Sequence, residues 1–72
     1  MQFTPDEMVK VQDYLRRTFG NPKIGVKPRS QAPDSIEILV GGEYVGLCDK
    51  IVEEDETSYN INITILDIDL DA

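Results

Sequence analysis

The sequence predicts an α+β fold: one amino-terminal helix packed on one face of a four-stranded antiparallel meander sheet, in the order α-β-β-β-β. Three observations carry this. A run near the start repeats its apolar residues at the helical period and opens with a full set of capping residues. After Pro22 the apolar period drops to two and stays there. Gly41-Gly42 then separates two alternating runs, as a two-residue hairpin turn does. A helix followed by strands on short connections gives an α+β domain, and 72 residues leave room for one, residues 1–72.

The helix is expected over Pro5 to Phe19. Thr4 suits the N-cap, Pro5 the first helical position, and Glu7 completes a Thr-x-x-Glu capping box. Phe3 and Met8 have the spacing of a hydrophobic staple. Asp6 and Glu7 stand at the positive end of the helix dipole, and Arg16 and Arg17 at the negative end. Met8, Val11, Leu15 and either Thr18 or Phe19 form the apolar stripe, Gly20 suits the left-handed position after the helix, and Asn21-Pro22 stops it.

Ile24 and Val26 alternate with Lys23, Gly25 and Lys27 up to Pro28, which marks a short, protected edge strand. Ile36, Ile38 and Val40 form the next alternating run. A tight turn at Gly41-Gly42 sets Ile38 opposite Val45, Ile36 opposite Leu47, and Leu39 opposite Tyr44 on the other face. The third strand runs from Glu43 to about Val52, and Glu53 to Thr57 is an acidic loop. Tyr59, Ile61, Ile63 and Ile65 alternate next, then the phase slips so that Leu66, Ile68 and Leu70 become the apolar set. A single strand from Ser58 to Leu70 would be about 43 Å long, against an expected radius of gyration of about 11 Å, so a bulge or bend is expected near Ile65-Leu66. The expected core is Met8, Val11, Leu15, Phe19, Ile24, Val26, Ile36, Ile38, Val45, Leu47, Ile61, Ile63 and Ile65.

Composition narrows the function. The chain is 40% hydrophobic and 29% charged, too apolar for disorder and without an apolar run long enough to span a membrane. It has no histidine and one cysteine, which excludes zinc sites built on Cys and His, catalytic triads and histidine acid–base chemistry. A single cysteine, Cys48, and the lack of a secretory leader pattern fit a cytoplasmic protein. The net charge of −7 is unevenly spread: residues 53–72 hold seven acids and no base, while Arg16, Arg17, Lys23, Lys27 and Arg29 fall in a stretch without acids. The molecule therefore has a basic middle and an acidic end, a dipole that orients partners.

The run Tyr14-Leu15-Arg16-Arg17-Thr18-Phe19-Gly20-Asn21-Pro22, the segment Ile65-Leu66-Asp67-Ile68-Asp69-Leu70-Asp71 and the Gly-Glu-Tyr-Val-Gly run at 42–46 resemble a small family of bacterial proteins known only as a domain of unknown function. The resemblance spans essentially the whole chain. It implies a free-standing bacterial cytoplasmic protein and supplies no catalytic residues.

Four groups of residues bear on function. Asp67, Asp69 and Asp71 would share one face of a strand, about 6.8 Å apart, but they begin an EF-hand spacing without completing it. They are read as charges guarding the β-prone run 60–66 from aggregation, and no metal or other cofactor is expected. Cys48, in the phase opposite Val45 and Leu47, has no histidine to activate it and is read as structural. Arg16, Arg17, Lys23, Lys27 and Arg29 are the candidate phosphate contacts of a nucleic-acid-binding alternative, which the net charge opposes. Leu39, Tyr44 and Leu66 are the candidate partner contacts on the sheet face away from the helix, which one helix cannot cover. The leading expectation is a non-enzymatic interaction module that binds a protein partner or a second copy of itself.

Overall fold

A computed structural model describes residues 2–70, with Asp69 described by its backbone alone. The element order is α1 (Pro5–Phe19), β1 (Ile24–Pro28), β2 (Ser35–Val40), β3 (Glu43–Glu53), β4 (Glu56–Ile63) and a single helical turn, α2 (Asp67–Leu70). The strands form one antiparallel sheet in the order β1-β2-β3-β4, so β1 and β4 are its edges. This is the expected meander, with α1 packed on the β1 side.

Local chemistry sets α1 at both ends. The Thr4 hydroxyl accepts from the Glu7 amide at 3.1 Å, and the Glu7 carboxylate accepts from the Thr4 amide at 2.9 Å. Gly20 closes the helix in the left-handed region at φ 61°, its amide donating to Arg16 O. Gly41 and Gly42 have φ 60° and 85°, the paired positive values that a type I′ hairpin turn requires.

The β2–β3 register differs from expectation beyond the turn. Leu39 faces Tyr44 as expected, but Ile38 faces Gly46 and Ile36 faces Cys48. Val45 is the extra residue of a β-bulge, which reverses the phase of the rest of β3. Cys48 is therefore fully buried in the core, and Leu47 moves to the far face opposite Glu37. Gly46 makes the close approach of β4 possible: a Cβ there would collide with the Asn62 carbonyl oxygen and lie 3.1 Å from Ile63 Cα.

The core is Phe3, Leu15, Ile24, Ile36, Ile38 and Cys48, with Met8, Val11, Val26, Val40 and Val45 packed around it. Five expected core residues lie outside it: Leu47 is displaced to the far face by the bulge, and Phe19, Ile61, Ile63 and Ile65 are exposed. The cause of the exposure is width. A helix with its side chains is about 10 Å across, while strands lie about 4.8 Å apart, so one helix roofs about two strands of four. With α1 seated toward β1, the inner face of β4 is left open. The late phase slip is resolved by the chain leaving the sheet after Ile63 and passing through 64–66 into α2. Asp67 and Asp69 thus lie on one helical turn, where residues two apart do not face each other, and not in a row along a strand. Asp71 lies outside the described residues.

Candidate functional site

The space that α1 leaves over β4 is a furrow. Its first part, about 430 Å³, lies between Lys10, Val11 and Tyr14 on the helix and Tyr59 and Ile61 on the strand. Past Leu15 and Ile61 it continues as a second hollow of about 250 Å³, reaching Phe19 and Ile63. Its walls are apolar and open: Tyr14 is 58% exposed, Phe19 66%, Ile61 38% and Ile63 58%. Tyr59, Ile61 and Ile63 pair with Lys50, Cys48 and Gly46, so all three belong to the helix-side face.

A polar lock closes the head of the furrow. The Glu7 carboxylate accepts from Lys50 Nζ at 2.7 Å and from the Tyr59 hydroxyl at 2.6 Å, joining α1 to β3 and β4. Lys50 Nζ also donates to Gln2 O at 3.1 Å. The Lys50 ammonium, then the Tyr59 hydroxyl, hold the Glu7 carboxyl down at about 2. The bond to Glu7 in turn pushes the Tyr59 phenol up to about 12. The Tyr59 ring also packs at 5.6 Å from the Phe3 ring.

Along its outer side, β4 is an unguarded edge. It has eight residues, with neither charge nor proline from Thr57 to Ile63. The opposite edge, β1, has five residues, carries Lys27 and ends on Pro28. The direction of the free backbone groups of β4 follows from the sheet. The Lys50 amide donates toward β2, to Asp34 O at 2.8 Å. Its neighbours Asp49 and Ile51 therefore bond toward β4, to Asn60 and Ser58. The N–H and C=O groups of Tyr59, Ile61 and Ile63 then point out from the free edge, while their side chains line the furrow.

Residues 7–69 match the model of a family described as "Protein of unknown function (DUF3126)". The chain belongs to that family. The matched stretch contains both walls of the furrow and the whole β4 edge. No curated protein and no solved structure matches.

In this DUF3126 chain the basic residues do not converge. Arg16 Nε donates to Ile24 O at 2.7 Å, and an Arg29 terminal nitrogen donates to the Ser35 hydroxyl at 3.4 Å. Arg17 stacks 6.0 Å from the Tyr14 ring on the furrow side. Lys23 stands before β1, and Lys27 is paired in register with Glu37 across the far face.

Of the three candidate partner contacts, Leu39 and Tyr44 are register partners on the far face, Leu39 half-buried and Tyr44 exposed. Leu66 is exposed but lies off the sheet, in the segment between β4 and α2. The far face also carries Lys27, Glu37, Asp49, Asn60 and Asn62. The furrow was not foreseen. Its sequence signal was Tyr59 in phase with Ile61 and Ile63, and Tyr14 three residues beyond Val11 on the flank of the helix stripe.

Proposed function

We propose that this DUF3126 protein is a non-enzymatic interaction module of the bacterial cytoplasm, which holds a partner protein or a second copy in the furrow between α1 and β4. The observation that carries this is the exposure of Tyr14, Phe19, Ile61 and Ile63 along one continuous apolar trough beside a free strand edge. A large apolar surface of this kind is a burden to a monomer and a source of affinity once covered. The titratable groups support the same reading. At neutral pH Glu7 is held ionised, the Tyr59 phenol is held protonated, and burial pushes the Cys48 thiol up to about 11. None is poised to exchange a proton or attack a substrate. A single, unpaired cysteine suits the cytoplasmic setting.

Photo-crosslinking in cells tests this. A benzophenone amino acid in place of Tyr14 should give covalent adducts, to another protein or to a second copy. The same group at Tyr44 probes the far face, where Leu39 and Tyr44 are the alternative contacts. Adducts from position 14 support the furrow. Adducts from position 44 alone would move the interface to the far face, and none from either would end the interaction reading.

A further inference from the structure

We propose that the occupant of the β4 edge is a second copy of this chain, paired antiparallel through β4 about a two-fold axis to make one continuous eight-stranded sheet. This rests on the interaction reading above and names its partner.

The edge fits itself. Pairing requires outward N–H and C=O groups on both strands, and Tyr59, Ile61 and Ile63 supply them at alternate positions. A two-fold pairing with Ile61 on the axis sets Ile61 against its own copy and Tyr59 against the other chain's Ile63. On the far face the same register sets Asn60 against Asn62. Apolar side chains meet apolar ones on the furrow side and amides meet amides on the other, as a self-complementary patch requires. The β4 wall of each furrow is then covered by the same side chains of the other copy.

The orientation decides what the ends of the strand meet. The helix and β4 run alongside each other in the same direction: Glu7 meets Tyr59 at one end, and Phe19 lines the hollow with Ile63 at the other. Antiparallel pairing therefore carries the acidic turn Glu53-Glu54-Asp55-Glu56 of each copy toward the far end of β4 of the other, where Arg17 stands near the helix C-terminus and Asp67 opens α2. A parallel arrangement would bring the two acidic turns together, and like charges in register oppose pairing. The other edge, β1, is unsuited, because Pro28 has no N–H and Lys27 puts a charge into a five-residue strand.

The test is the mass of the purified full chain by sedimentation across a micromolar-to-millimolar range, for wild type, Ile61→Lys and Ile63→Lys. Wild type should reach twice the 8.1 kDa chain mass. Each lysine forces a charge into the shared apolar strip and should weaken self-association by at least about tenfold, equivalent to about 1.4 kcal/mol. Circular dichroism identifies any variant that has simply unfolded, and Ile63, more exposed and at the end of β4, is the safer position. A wild-type chain that stays at single-chain mass overturns the proposal, as does a dimer indifferent to both substitutions. Single-chain mass together with crosslinks from position 14 to a different protein would remove the self-pairing and leave the interaction module standing.

Discussion

Glu7 shows how much one side chain does in a domain this small. Its carboxylate completes the capping box with Thr4, pairs with Lys50 and accepts from Tyr59, so α1, β3 and β4 meet on two oxygens. Its pKa is lowered from 4.5 to about 2 in the folded chain. A depressed carboxylate contributes stability that is fully present above its unfolded pKa and lost as pH falls toward the folded one. The window is thus from 4.5 down to about 2. Tyr59 acts in the opposite sense: its phenol is raised from 10 to about 12, so its contribution holds below 10 and is lost as pH climbs through that range. Glu7→Gln keeps a side chain able to complete the capping box but removes the charge. Urea midpoints should be lower for Glu7→Gln at neutral pH and converge with wild type as pH falls through the acid window. Parallel pH curves for the two proteins would contradict the lock. The capping box was legible in the sequence because its partners are three residues apart. Lys50 and Tyr59 were not, since they lie 43 and 52 residues away and only the sheet register brings them together.

The elements were legible wherever a local pattern was unambiguous. Thr4, Pro5 and Gly20 bounded α1 correctly, and Gly41-Gly42 placed the hairpin. The bulge at Val45 was hidden because Gly46 has no side chain, so the run Tyr44-Val45-Gly46-Leu47-Cys48 reads in either phase, and Leu47 is the more apolar choice. The end of the chain misled for a related reason. Alternation over only 67–70 fits a strand, yet these residues make the single turn α2. Gly46 is where the β3–β4 pairing is most exposed to test. A methyl group there meets backbone on β4, which cannot rotate away. Gly46→Ala should destabilise by about 1–3 kcal/mol, read as a lower urea midpoint. An unchanged midpoint would mean that β4 does not approach β3 as closely as the structure has it.

At the scale of the whole molecule, the sequence foretold an open sheet face but not that the helix leaves part of its own side uncovered. Periodicity tells which side chains share a face; it does not tell how far sideways a helix reaches. Ile61 and Ile63 carry every mark of core residues and are 38% and 58% exposed because α1 sits over the other edge. The uneven edges follow the same logic: lysine and proline guard β1, while β4 carries neither charge nor proline from Thr57 to Ile63. The central claim is that this bare edge pairs with its own copy. Amide hydrogen exchange along β4, followed by NMR at increasing protein concentration, addresses it most directly. Asn60 and Asn62 donate toward β3 and should be protected at every concentration. Tyr59, Ile61 and Ile63 point outward, and their amides should pass from fast exchange to protection as the chains associate. Fast exchange of those three amides at concentrations where the chain is fully dimeric, or a chain that never dimerises, would contradict the account.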